Sequence, residues 1–394
     1  MATIMHKRLI LVVAAFFPDS YGGAERQALI LAEALGRAGY EVTIVAPTTD
    51  KSAQREERKA FGVIIRKFVS AYPNLGGKNI LSFISWTLWF LRVFSRSKWK
   101  GVPIYVFHAR LHAFGPALTA IRNSAPLLIK LGGGGEASEF QALRSKKYIY
   151  GRFIEWILRR NVDTFVANSR QIAGELKKLG IPIRNIAEFP NGVVLPTENA
   201  WIDAMKKRRG RRFIYAGRLV PDKSVDVLYH AAMGLAEEGL ALDLRLVGIG
   251  SEKDRLEKLP STTMHPGVVT FPGFVSDVYP ELEVADFFVS ASKREGQSNA
   301  LLEAMSSGLI PIVYAASGVE EVVSHGINGF VVRSSTVESF QETMRQALEM
   351  DDETRRRMSS ASRQFIEANI GIDAVAQRTI REIETIAAGA EVYG

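Results

Sequence analysis

Short, uninterrupted apolar runs recur along this chain, and each gives way to a loop and then to residues spaced as in a helix. That alternation constrains the fold more than anything else in the sequence. Residues 9–15 form the first such run. A strand that is apolar at every position needs cover on both faces, which is the setting of a parallel sheet. A loop over residues 17–23 follows, ending in Gly22 and Gly23. A helix is predicted from about Ala24, with Ala28, Leu31, Ala32 and Leu35 on one face. Gly39 suits a left-handed stop, and residues 42–45 make the next strand. Strand, helix, strand is the building block of a doubly wound α/β sheet.

The pattern continues. Strands are predicted at 63–68, 104–107, 127–130 and 164–167, then at 213–215, 242–247, 268–271, 286–289, 310–313 and 330–332. Asn191-Gly192 and a basic run at 206–212 separate two α/β halves, which join near residues 190–211. A length of 394 residues fits two domains. Residues 361–387 read as one closing helix, with Phe365, Ile366, Val375, Ile380, Ile383 and Ile386 as its apolar positions.

Composition removes several classes of function. There is no cysteine, so disulfides, thiolate metal sites and a cysteine nucleophile are excluded. The run at 9–17 reads as a buried strand, not a secretory leader, because no small-residue cleavage pattern follows it. The apolar stretch at 80–94 falls short of the about 20 residues of a spanning helix. A net charge of +8 favours anionic partners. Nucleic acid is not expected, because no recognition motif accompanies the charge.

Four loops after strands could carry chemistry. In the first, Glu295, Gly296, Gln297, Ser298 and Asn299 precede a helix carrying Glu303. A helix N-terminus at the end of a strand is an anion site. Carboxylates do not bind phosphate, so Glu295 and Glu303 would read hydroxyls, and hydroxyl readers beside a phosphate site suggest a nucleotide-sugar. In the second, Gly217 permits close backbone approach, Arg218 offers a planar fork to phosphate and Lys223 a point charge. The third is Gly22-Gly23, and the fourth is Gly248-Ile249-Gly250. Alone, each could be an ordinary turn or a solvated surface. The GxGxxG fingerprint of a dinucleotide dehydrogenase is absent from the first loop. Four glycines at 132–135 could be a cleft loop or a linker.

Together these pieces resemble the retaining GT-B glycosyltransferases of family 4, also called group 1. Glu295 and Glu303 match the family's E-x7-E pair, and Gly217, Arg218, Leu219 and Lys223 match its diphosphate clamp. Pro190-Asn191-Gly192-Val193 is similar to its interdomain PNGV, and Gly22-Gly23-Ala24-Glu25 to its first loop. The resemblance implies an α/β GT-B fold: two Rossmann-like, doubly wound parallel-sheet domains facing across a cleft. Residues 1–190 would bind the acceptor and 191–370 the nucleotide-sugar, with residues 371–394 a helix crossing back. It implies that Arg218 and Lys223 hold the donor diphosphate, that Glu295 binds sugar hydroxyls and Glu303 the ribose. Gly22, Gly23, Gly248, Gly296, Gln297, Ser298 and Asn299 would complete the donor site. Glu295, Arg218, Lys223 and His108 are the expected catalytic residues.

The sequence departs from the family in places. Its His-x-His stretch reads His108-Ala109-Arg110-Leu111-His112 here, so Arg110 and His112 are expected to meet the acceptor. PNGVD becomes Pro190-Asn191-Gly192-Val193-Val194, and Ile249 stands where a polar residue is usual. No D-x-D pair occurs, so no metal or cofactor is expected; Arg218 and Lys223 would take the metal's part. The donor is expected to be a UDP-sugar rather than a GDP-sugar, and the acceptor lipid-linked or polysaccharide. Trp86, Trp89, Phe90, Val93 and Phe94 beside Arg92, Arg96, Lys98 and Lys100 suit either a core helix or peripheral contact with an anionic membrane. A second candidate spans residues 144–160, with Tyr150, Phe153, Ile154 and Ile157 on one face, and reads rather as core-facing. A cytoplasmic location is expected, peripheral on the inner face of the cytoplasmic membrane where either segment meets lipid. A nucleotide-sugar epimerase or hydrolase, or a non-catalytic binding scaffold, is the alternative.

Overall fold

The computed structural model describes residues 7–20, 22–73, 80–132, 139–144, 150–259, 264–293, 297–316 and 318–392. The chain forms two compact units. One is Met1–Gly192 with Ile372–Gly394, and the other is Val193–Gly371. The first therefore extends two residues beyond the expected boundary at 190.

The first unit is built on β1 (Arg8–Val12), β2 (Glu41–Thr48), β3 (Glu56–Lys59), β4 (Gly62–Phe68), β5 (Ile104–Phe107), β6 (Leu127–Leu131), β7 (Thr164–Ala167) and β8 (Ile186–Glu188). They lie in the order β3-β4-β2-β1-β5-β6-β7-β8. Every pairing is parallel except β3 with β4. Along β1, alternate residues face opposite layers. Leu9 and Leu11 join Ala28, Leu31 and Leu35 of the Gly23–Arg37 helix, together with Val375 and Ile383 of the closing helix. Ile10 and Val12 join the layer containing Trp86, Phe90 and Ala117. Full apolar coverage of both faces is why the strands read as unbroken apolar runs.

The second unit holds β9 (Arg212–Ala216), β10 (Asp243–Val247), β11 (Val269–Gly273), β12 (Phe287–Ser290), β13 (Ile310–Tyr314) and β14 (Phe330–Val332). Its order is β11-β10-β9-β12-β13-β14, parallel throughout. In each sheet the first strand in sequence has neighbours that come from opposite directions of winding: β1 lies between β2 and β5, and β9 between β10 and β12. Loops leaving the carboxyl ends of such strands diverge and open a crevice, where open α/β sheets bind ligands.

Three expectations change. Residues 361–387 are not one helix but parts of two, Asp352–Asn369 and Ile372–Val392. The break at Ile370-Gly371 is where the chain returns to the first unit, so Ile366 is core of the second unit while Val375, Ile380 and Ile383 are core of the first. Trp86, Phe90 and Phe94 of the Ile80–Phe94 helix are fully buried and so cannot face a membrane. Conversely, Phe153 and Trp156 of the Gly151–Asn161 helix stand in solvent, whereas Ile154 is core. No helix among the described residues is long and apolar enough to cross a membrane.

Candidate active site

In the second unit, the loops after β9 and β10 lie directly on one another. Gly217 N–H donates to Val247 O (3.0 Å), Leu219 N–H to Ile249 O (2.9 Å) and Glu252 N–H back to Leu219 O (2.9 Å). A Cβ on Gly248, at φ 140°, would sit 1.8 Å from the Gly217 carbonyl oxygen. On Gly250 it would sit 2.1 Å from that of Leu219. The glycines of the 248–250 loop are therefore required by backbone contact. The loop after β9 is braced further by Tyr215, whose hydroxyl donates to Arg218 O at 3.1 Å. The result fixes the main chain of Arg218 while its side chain stays exposed. Lys223 ends the short helix Pro221–Lys223 and is half-buried.

Across the switch point, β12 leads to the helix Asn299–Ser306. Ser298 caps it, accepting from Leu301 N–H at 3.3 Å, so the first-turn N–H groups point at the loop from β12. Gln297, Ser298 and Leu301, with Ser290 and Ser292 from the end of β12, line a small cavity of about 20 Å³. Ser292 is buried, and its hydroxyl finds no partner among the described residues. Glu303 is buried one turn inside the helix. Because β9 and β12 pair directly, with Phe213 beside Phe287, the Arg218 loop and this helix start leave adjacent strands at the same edge. Thus Arg218, Lys223, Gly248, Gln297, Ser298, Asn299 and Glu303 belong to one edge of one unit. Glu295 and Gly296 lie outside the described residues.

In the first unit, His108 follows β5 with φ 75°, a conformation uncommon for a side chain other than glycine. Its ring lies over Gly132, where a Cβ would come 2.4 Å from Cε1. His108 Nδ1 bonds Oε1 of the buried Glu139. That carboxylate also accepts from Ala109 N–H (2.6 Å) and Gly132 N–H (3.1 Å). Burial alone would raise the Glu139 carboxyl, but His108, the Ala109 N–H and the nearby Arg110 charge outweigh it and hold it below its ordinary value. With Nδ1 occupied, Nε2 is the nitrogen of His108 left for a ligand. Arg110 is half-exposed.

His112 is different. It is completely buried, and its Nε2 lies 3.0 Å from Phe107 O, so that nitrogen carries the hydrogen. Burial, with some help from His108, depresses it to about 3, so the ring is neutral. It is a core histidine under the Trp86 indole, whose N–H donates to His112 O at 2.9 Å, and not an acceptor contact. Gly22 is the N-cap of the first helix, and a Cβ there would meet the Glu25 carboxylate at 2.3 Å. Gln27 binds Gly192 twice, donating to its carbonyl at 2.8 Å and accepting from its N–H at 2.9 Å. Lys130, at the end of β6, is buried and pushed down to about 7 by loss of solvent. Glu139 and Lys130 are missing from the sequence reading. The available signals were a lysine inside an apolar strand and an acid just after the glycine run.

Residues 21–195 match glycosyltransferase family 4, and residues 200–365 match the glycosyl transferases group 1. The chain belongs to this glycosyltransferase family. Among curated relatives, it is 28% identical over 219 residues to the lipopolysaccharide core biosynthesis glycosyltransferase LpsE of Rhizobium meliloti. That match covers 55% of this chain and 62% of the relative. It is 24% identical over 385 residues to a GDP-mannose-dependent alpha-mannosyltransferase of Mycobacterium tuberculosis, covering 91% and 92%. Among solved structures, Anabaena Alr3699/HepE in complex with UDP and glucose superposes with a TM-score of 0.72 at 16% identity, covering 95% and 99%. The fold is therefore the family's GT-B fold.

Proposed function

We propose that the protein is a retaining glycosyltransferase that moves a hexose from a nucleotide-diphosphate sugar to a lipid-linked or polysaccharide acceptor of the cell envelope. The observation that carries this is the shared edge of β9 and β12, where a braced, cationic loop adjoins a capped helix start. As the glycosidic bond breaks, negative charge grows on the departing nucleoside diphosphate. The Arg218 guanidinium, the Lys223 ammonium and the helix N–H groups stabilise that charge, and being fixed beforehand they need no reorganisation. No divalent metal is needed in this scheme, so EDTA is expected to leave turnover intact. Glu303 takes the ribose and Glu295 the sugar hydroxyls. In the first unit, His108 serves the reacting sugar and Arg110 an anionic acceptor group.

UDP is favoured over GDP on the likeness to the UDP-bound Anabaena protein, with the mannosyltransferase relative keeping GDP as the competitor. The envelope role rests on LpsE and on a Salmonella typhimurium relative named as a putative colanic acid glycosyltransferase. A cytoplasmic protein with peripheral membrane contact fits such an acceptor.

Calorimetry with UDP and GDP tests the donor site. Wild type is expected to bind UDP in preference, and Arg218→Ala/Lys223→Ala to bind it at least ten-fold more weakly. Equal affinity in the double variant removes the clamp from the proposal. Anomeric analysis of the product by proton NMR checks retention.

A further inference from the structure

A second cationic feature belongs to the first unit. The Gly151–Asn161 helix carries Arg152, Arg159 and Arg160, and with Arg144, Glu155, Trp156, Gly180 and Ile181 they line an open cavity of about 630 Å³. Four arginines and one carboxylate line it. Glu155 is buried and binds Arg144 in two-pronged fashion, Nε to Oε2 at 2.7 Å and a second bond to Oε1. It also pairs with Arg159 at 3.4 Å, and Arg159 is held in addition by the Leu179 carbonyl. Glu155 therefore fixes two of the guanidiniums. Arg160 lies over the Trp156 ring at 5.2 Å, and Arg152 has no acid partner among the described residues. The helix dipole favours cations in the last turn, which accounts for Arg159 and Arg160. It disfavours Arg152 in the first turn, so something other than the helix asks for that charge.

This cavity shares no lining residue with the strand ends that carry His108 and the Gly22 loop. The helix runs into the amino end of β7, and Gly180-Ile181 precede β8. The Arg159, Arg160, Gly180 and Ile181 end of the cavity thus lies toward the amino edge of the parallel sheet, and the Arg144 and Arg152 end toward the start of the helix. Beside it the surface is apolar. Phe153 is 56% and Trp156 50% exposed, with their rings stacked at 6.1 Å. Phe153 contacts Phe114, Phe114 stacks on Phe83, and Phe83 on Tyr150. This ladder reaches the Ile80–Phe94 helix, whose outer stripe Leu81, Ile84 and Leu88 is exposed, with Arg92 one turn on.

We infer that this face docks on an anionic lipid surface, the arginine cavity receiving a lipid phosphate while Phe153 and Trp156 enter the headgroup layer. Guanidinium forks match phosphate oxygens, aromatic rings favour the membrane interface, and clustered arginines gain from negative surface potential. A soluble phosphate ligand would explain the arginines but not the exposed rings and aliphatic stripe beside them. The inference rests on the lipid-linked reading above only for its purpose, since docking is measured without donor or acceptor and either can fail alone.

Flotation with phosphatidylcholine vesicles, with and without phosphatidylglycerol, tests it on the full chain. Wild type is expected to float with the anionic vesicles and not with phosphatidylcholine alone. Arg152→Ala/Arg160→Ala is expected to bind roughly thirty-fold more weakly, from about 1 kcal/mol per guanidinium. Phe153→Ser/Trp156→Ser is expected to lose flotation while retaining any affinity for inorganic phosphate that calorimetry detects. Thermal melts and UDP titration of both variants report folding and the donor site separately. Equal flotation on neutral vesicles, or unchanged flotation of the arginine variant, overturns the inference. So does phosphate binding by wild type without flotation, which would assign the cavity to a soluble ligand.

Discussion

One oxygen of the buried Glu139 carboxylate bonds Nδ1 of His108, and the other accepts the N–H of Ala109, the next residue in the chain. A single acid thus fixes both the ring and the main chain of a residue held at positive φ. Removing it strands a buried N–H and frees the ring. Glu139→Ala is expected to lower stability by about 2–4 kcal/mol in urea denaturation. Glu139→Gln, which keeps an acceptor, should cost less. Because the folded carboxyl lies below its ordinary value, its contribution is complete above about 4.5 and is lost as pH falls below it. The wild type should lose stability with acid more steeply than the glutamine variant. Parallel pH dependences would show that Glu139 is not charged in the folded protein.

Lys130 gives the opposite dependence. The unfolded chain keeps its ammonium proton up to about 10.5, the folded chain only to about 7. Folding expels the proton between these values, so its cost is largest below pH 7 and fades as pH rises toward 10.5. Lys130→Met should therefore stabilise the protein by about 2–4 kcal/mol at pH 6 and by much less at pH 10. A stabilisation equal at both values would attribute the gain to packing instead.

The 248–250 loop predicts a contrast between two glycines. Gly248→Ala drives a methyl into the Gly217 carbonyl and must separate the two loops. It should cost more than about 2 kcal/mol and weaken UDP binding together with stability. Gly239→Ala, at φ 88° with open space around it, should cost only about 1 kcal/mol and leave UDP binding alone. Titration of both variants with UDP, alongside their melting curves, distinguishes them.

Trp86 and Trp156 form a second contrast, between core and surface. Trp86→Ala should cost about 3–5 kcal/mol, since the ring is wholly buried against Phe90 and Trp89. Trp156→Ala should change the melting temperature little. A large loss in the latter would place its ring in the core.

Parallel strands were legible because burial on both faces leaves unbroken apolar runs. β3 was not, because Glu56-Glu57-Arg58-Lys59 is an edge strand paired with β4 alone and needs no apolar face. The glycines of the 248–250 loop were visible, but the reason for them, the main chain of 217–219, lies thirty residues earlier. His108 was identified from its neighbours in sequence. Its partner Glu139 was not, because only the pairing of β5 with β6 brings them together. The tryptophans near residue 86 left two readings open for a related reason. Aromatic and basic residues on one helix look alike whether the rings face a core or a membrane, and only the sheet beneath decides.

Val193 and Gly371 form a parallel bridge, so the chain enters and leaves the second unit at one place. This sets an unusual order of completion during synthesis. The first unit begins to emerge from the ribosome first, yet its core lacks Val375, Ile380 and Ile383 until the last helix is made. The second unit, whole once Gly371 has cleared, can close earlier. The amino-terminal half must then wait with one layer of its sheet only partly covered, an interval in which the exposed part is the natural client of a chaperone.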